Sequence, residues 1–180
     1  QESFEDATWA AAGLVIPSSN SSTGTWSRGQ GSTSSSNTGP SSAHDGDWYL
    51  YAEATGASDT DFVVELLPVV GNGTVVVELW YHMHGSDVGS LSVELASSSW
   101  SGGESLLGSG SASGSGSESW DGALVSDEDV PSATTTTVLW SVSGEQQASS
   151  GEAWRHTAVQ IGPSMSGIVR IRATTGSGSQ

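Results

Sequence analysis

The sequence predicts an all-β chain, folded as an antiparallel jelly-roll-like β-sandwich. Short runs of β-branched and aromatic residues recur along it, and Gly-, Ser- and Asn-rich connections separate them. No stretch carries the apolar period of an amphipathic helix, and helix propensity is poor throughout because β-branched, Ser and Gly residues dominate. The clearest stretch is Val75 to Leu95, VVVELWYHMHGSDVGSLSVEL. Two apolar runs flank a polar centre there, the pattern of two antiparallel strands joined by a short turn. Leu91, Val93 and Leu95 alternate with Ser90, Ser92 and Glu94, which predicts one apolar face and one wet face. The first strand alternates less strictly, as a central strand with apolar neighbours on both faces does.

The remaining elements follow in chain order. Gln1 to Ile16 predicts one or two strands, the apolar run Ala10 to Ile16 being stopped by Pro17, since a helix there would be too short. Ser18 to Ser42 has the composition of a loop, with Trp26 and Arg28 standing out. Asp47 to Ala54 and Asp61 to Leu67 read as strands, the second ended by Pro68, and Gly71-Asn72-Gly73 is a turn. Ser97 to Ser119 is nearly all Ser and Gly, the composition of a flexible linker. Thr134 to Val142, Ala153 to Ile161 and Gly167 to Thr174 complete the strands, with Gly162-Pro163 as the last turn.

A chain of 180 residues fits one domain, residues 1–180, with a Ser/Gly-rich insertion at about 97–133. Only 34% of residues are hydrophobic, so the core is modest, although eight Trp add area beyond their number. No run approaches the roughly 18 apolar residues that span a bilayer. With no initiator Met and no signal peptide, Gln1 reads as a processed mature end.

Twenty acidic residues face four basic ones, Arg28, Arg155, Arg170 and Arg172, giving a net charge of −16. Such a chain lacks the basic face that nucleic acid or anionic lipid requires. Its fitting partners are cations, neutral glycans or further copies of itself bridged by cations. The same charge also serves solubility alone. Cysteine is absent, which excludes disulfides and thiol chemistry.

A succession of motifs then stands out. Ser3-Phe4-Glu5-Asp6, Trp26-x-Arg28-Gly29-x-Gly31, Thr38-Gly39-Pro40-Ser41, His44-Asp45 and Tyr49-Leu50-Tyr51-x-Glu53-Ala54 come first. Trp80-Tyr81-His82-Met83-x-Gly85-Ser86-Asp87-Val88-Gly89-x-Leu91, Trp140-x-x-x-Gly144 and Trp154 follow. In this order they resemble the MAM domain, the module shared by meprins, neuropilins and receptor tyrosine phosphatases, over roughly residues 3–172. The resemblance implies a sandwich of two antiparallel sheets in a secreted or cell-surface protein, serving adhesion or oligomerisation without catalysis. The chain departs from the family in lacking its cysteines, in the tract from about Ser97 to Ala133, and in having no counterpart of the acidic closing strand after Arg172. A sandwich without its last strand has an open edge, which a neighbouring subunit's strand can fill.

Four groups of residues are candidates for function. Glu5, Asp6, Asp45, Asp47 and Glu53 offer oxygen ligands suited to Ca²⁺, and the resemblance points to the same ion. Against this stands a merely solvated acidic face. His82-x-His84 puts two imidazoles on one side of an extended chain, with Asp87 close in sequence, a pair able to ligate zinc or copper. The resemblance favours plain structural roles for both. Trp26, Trp80, Trp140 and Trp154 match family positions, so most of them are expected in the core. Trp100 and Trp120 match none and are the expected contacts for glycans or another subunit. Asn20-Ser-Ser and Asn72-Gly-Thr fit the N-glycosylation pattern, and the Ser/Thr tracts suit O-glycosylation.

No nucleophile constellation stands out, and Gly162 to Gly167 does not have the spacing of a Gly-x-Ser-x-Gly elbow. Two non-enzymatic readings result. One is an extracellular structural or adhesive module that self-assembles, as in a filament or surface layer. The other is a monomeric glycan- or Ca²⁺-dependent binding module of a larger cell-surface protein.

Overall fold

The computed structural model describes residues 4–6, 14–16, 23–54, 56–71, 73–98 and 134–177. Nine strands occur among them: β1 (Thr23–Gly24), β2 (Trp26–Gln30), β3 (Trp48–Ala52), β4 (Asp61–Val69), β5 (Val75–Tyr81), β6 (Val88–Ser98), β7 (Thr134–Ser143), β8 (Arg155–Ile161) and β9 (Gly167–Thr175). One sheet has five strands in the order β1-β4-β9-β6-β7, and two further ladders pair β2 with β3 and β5 with β8. Every pairing is antiparallel except the short contact of β1 with β4. The all-β sandwich expected from the sequence is the fold observed.

Alternation explains how the layers meet. Val93 and Leu95 of β6, Val169 of β9 and Val69 of β4 turn their side chains to one side of the large sheet. Val159 and Ile161 of β8 meet them, and Val77 and Leu79 of β5 pack against the same cluster. Val93 and Ile161 are completely buried. Each such aliphatic side chain contributes about 1.5–3 kcal/mol of transfer free energy, so this cluster carries much of the core.

The predicted Val75–Leu95 hairpin does not form. β5 pairs with β8, Val75 opposite Ile161 through Tyr81 opposite Arg155, whereas β6 lies between β7 and β9. Residues 82–87 therefore carry the chain from one ladder to a different sheet. The reason lies in their backbone groups. Met83 N–H donates to the Gln147 side chain at 2.8 Å, Met83 C=O accepts from Gln146 N–H at 2.7 Å, and His84 C=O accepts from Gly39 N–H at 2.8 Å. Groups engaged by these loops cannot close a hairpin, and Met83, 7% exposed, is anchored in the interior. β5 is also no central strand, since among the described residues it pairs with β8 alone.

Three more expectations are corrected. Trp26–Gln30, read as loop, is a strand paired with β3, because Gly29 and Ser27 lie within reach of an aromatic neighbour strand at Trp48–Ala52. Pro68 does not end β4, since it sits at an irregularity between Glu65 and Pro68, where the register shifts and a proline is tolerated. The supposedly wet face of β6 is covered: Ser92 and Glu94 are 8% and 6% exposed, beneath arginines of β9. The C-terminal strand β9 is central, hydrogen-bonded to β4 on one side and β6 on the other. Among the described residues, the edges of the large sheet are β1 and β7. The ladders β2-β3 and β5-β8 are not joined to each other among the described residues, so each of their strands also keeps one unpaired edge.

Arg172 fixes the register of β9. Its guanidinium meets Asp61 of β4 at 2.5 Å and Glu94 of β6 at 3.1 Å, while Arg170 meets Glu65 at 2.7 Å. A one-residue slip would carry both arginines to the apolar side of the sheet. Burial draws the Arg172 pKa down, but Glu94 and Asp61 more than reverse this and hold it above its ordinary value.

Candidate functional site

The most intricately bonded region lies where β5 ends and β8 begins. Thr38 and Gly39, both in the Thr-Gly-Pro-Ser motif, bind the His84 carbonyl, the Thr38 hydroxyl at 3.0 Å. Gly85 adopts φ 136°, and a Cβ there would stand 2.7 Å from the Thr38 hydroxyl oxygen. The two motifs are therefore a single dock. Ser41 N–H donates to Ser150 C=O at 2.8 Å, and the Trp154 indole N–H donates to Ser42 C=O at 3.0 Å. Gln147, 1% exposed, has its side-chain oxygen on Met83 N–H and its amide nitrogen near the Tyr81 and Ala153 carbonyls.

All four histidines of the chain gather around this dock. His44 stacks on Trp80 at a centroid distance of 3.8 Å, and His156, the cross-strand partner of Trp80, is 4.6 Å from it. Trp80 is 48% exposed and is the one of the four family-matched tryptophans that lies outside the core. It lies on the side of β5 with Val76 and Glu78, opposite the side that meets the core. Trp26 against Phe62, Trp140 against Tyr81, and Trp154 against Tyr49 are packed as expected.

His82 and His84 differ in environment. The His84 Nδ1 is 2.9 Å from Glu145 Oε1 and 3.1 Å from the Gln147 carbonyl oxygen. The Gly85 N–H and the His84 ring together hold the Glu145 carboxyl below the usual carboxylate range. The His82 ring stands edge-on to Trp154 at 5.7 Å, and both its nitrogens are shut off from solvent. Burial pushes its pKa below the ordinary value, aided by His84 and partly opposed by Glu152. Asp87, the third ligand suggested by the sequence, accepts from the Ser86 hydroxyl at 3.3 Å, and its carbonyl accepts from Gly176 N–H at 2.8 Å.

The acidic group of the N-terminal segment is partly assembled. Glu5 Oε1 accepts from Asp47 N–H at 2.9 Å and Trp48 N–H at 3.0 Å, which seats it on the exposed turn that holds Asp45 and Asp47. Gly46, at φ 64°, makes room, because a Cβ there would fall 2.3 Å from the same oxygen. Arg28 stacks on Trp48 at 3.5 Å and donates to the carbonyls of Phe4 and Glu5. Asp6 is exposed beside Glu5, and Glu53 lies just past the end of β3. Among the described residues, no three His, Asp or Glu side chains converge where a metal ion would be held.

Trp100, Trp120, Asn20 and Asn72 lie outside the described residues, as does nearly all of the 97–133 tract. Glu145 and Gln147 were invisible to the motif reading, since a Glu or Gln in a polar loop reads as surface. Their one signal is position, just after Gly144 in the Trp140-x-x-x-Gly144 motif. A cleft of about 1530 Å³ runs beside this region, with Tyr49, Tyr81, His82, His84 and Trp154 in its wall.

The described elements together form an antiparallel β-sandwich. A family model described as "MAM domain, meprin/A5/mu" matches residues 3–132, and the chain belongs to the MAM domain family. Members of this family are generally extracellular, non-catalytic adhesion-type modules. Among the described residues, no helix is long and apolar enough to cross a membrane.

Proposed function

We propose that this chain is a non-catalytic extracellular module that associates with copies of itself along the β7 edge of its large sheet. The observation that carries the reading is the exposure of β7. Thr134, Thr135, Thr136, Thr137 and Val138 are all exposed, and among the described residues β7 is paired with β6 alone. A ten-residue strand in that position offers a row of backbone donors and acceptors to a second strand. The net charge of −16 sets the conditions, since like-charged copies repel until salt or divalent cations screen them. The test is sedimentation velocity at rising protein and salt concentration. Association strengthened by salt supports the reading, and a monomer under every condition overturns it.

A second reading, a Ca²⁺- or glycan-dependent binding module, draws on Glu5 being seated at the Asp45–Asp47 turn. A rise in melting temperature with millimolar Ca²⁺ that Glu5→Gln removes would support it. An unchanged melting temperature would retire it for Ca²⁺.

A further inference from the structure

We propose that the gap between the β2-β3 and β5-β8 ladders is a slot for one extended segment of a different, basic polypeptide. The first support is the set of residues that bounds the cleft of about 1530 Å³. Along β3 and just past it every residue from 48 to 54 takes part, and along β5 every residue from 75 to 81. A strand met on its face shows alternate residues, whereas a strand met on its edge shows them all. The floor has the other pattern. Val169, Ile171 and Ala173 of β9 line it without Arg170 or Arg172, and Val64 and Leu66 of β4 without Glu65. Two strand edges therefore wall a cleft that is floored by the apolar face of the large sheet.

Both walls are free to pair. Among the described residues, β3 bonds to β2 alone and β5 to β8 alone. No described residue of β8 and only Trp26 of β2 lines the cleft, so those strands lie on the far sides of their partners. An incoming strand bonds to β3 along one edge and to β5 along the other, joining the two ladders into one sheet. The space suffices. A strand residue occupies roughly 160 Å³ at ordinary rise, strand spacing and sheet spacing. A strand matched to the seven residues of β5 therefore takes up about 1100 Å³.

Charge selects the occupant. Asp45, Glu53, Glu78 and Asp87 line the cleft, and among the described residues no arginine does. The chain has no lysine, and its four arginines serve its own fold. Arg28 lies on Trp48, Arg155 on Gln146, Arg170 on Glu65, and Arg172 on Glu94 and Asp61. A second copy thus has no basic strand to give, and at a net charge of −16 it is repelled at low salt. The segment that fits carries apolar side chains at every second position, toward Val64 and Ile171, with Lys or Arg between them.

The test is amide hydrogen exchange of the whole chain with a capped peptide of alternating Lys and Val, about nine residues long to match β5. With peptide at about ten times its Kd, the slot is empty roughly a tenth of the time. Amides in residues 48–54 and 75–81 should then exchange up to about tenfold more slowly, with β7 unchanged. The same peptide with Glu in place of Lys, or with Pro at its central Val, should give no protection at that concentration. Glu78→Lys, on the exposed side of β5, should weaken binding about 3- to 10-fold at low salt. Thr135→Lys/Thr137→Lys should bind the peptide as the unaltered protein does, which separates this slot from the β7 edge. No slowing, slowing confined to β7, or equal capture of the Glu peptide would overturn the proposal. Slowing at both walls on concentrating the protein alone would give the slot to a second copy and overturn it as well.

Discussion

Thr38 and His84 join two segments far apart in the chain, the threonine hydroxyl donating to the histidine carbonyl at 3.0 Å. This contact, with the Gly39 N–H on the same carbonyl, is why the chain leaves β5 without turning back on itself. Thr38→Val should cost about 1 kcal/mol, the net worth of one hydrogen bond. Gly85→Ala should cost more, about 1–3 kcal/mol, because it adds strain at a positive φ to a clash with Thr38. Urea denaturation midpoints check both, and an effect smaller for Gly85→Ala than for Thr38→Val would contradict the dock.

Gln147 is the second measure of that dock. Its buried side chain serves the Met83 N–H and lies against two carbonyls. Gln147→Ala should destabilise the protein by about 2–4 kcal/mol, from a cavity and an unsatisfied buried N–H together. A loss below about 0.5 kcal/mol would place Gln147 among ordinary surface residues.

The arginine ladder across β4, β9 and β6 makes a third case. Arg172→Met leaves Glu94, with a side chain 7% exposed, without its cation. A loss of about 2–4 kcal/mol is expected, at or below the range for breaking a buried pair because Arg172 is 28% exposed. Combining it with Glu94→Gln should recover part of that loss. Strict additivity of the two substitutions would show that the pair does not interact.

Acid should weaken the fold through His82. Burial holds its pKa in the folded chain below the ordinary 6.5. As pH falls through 6.5, the unfolded chain takes up a proton that the folded chain does not. Below that pH the unfolded state binds more protons, so stability falls on acidification until the folded-state pKa is reached. Urea midpoints measured in chelator should be lower at pH 5.5 than at pH 7.5, and His82→Phe should reduce the difference. An equal or larger difference in His82→Phe would contradict this.

The strands were legible because alternation is local. Leu91, Val93 and Leu95 alternate with polar residues and mark the inward face of β6. What strands pair with is not local. Val75 to Leu95 has the pattern of a hairpin and that of a crossing between sheets alike, and only the Gln147 and Thr38 contacts decide between them. Glu94 reads as wet because alternation cannot show that Arg172 will cover it. Trp26–Gln30 was missed because Gly29, Ser27 and Arg28 are poor strand formers individually, and pairing with Trp48–Ala52 supplies the order. For function, the motifs led to the family, and to His82 and His84 as residues of interest. They gave no sign of Glu145, whose carboxylate holds the His84 ring and the Gly85 N–H.

The proposed association through β7 is tested most directly by placing charge on that edge. Thr135 and Thr137 pair with Ser97 and Leu95 of β6 and are both exposed. Sedimentation velocity should show salt-strengthened association for the unaltered protein and a monomer for Thr135→Lys/Thr137→Lys, because edge lysines disfavour strand addition. An unaltered protein that stays monomeric at every salt concentration, or a double variant that associates equally well, would contradict it.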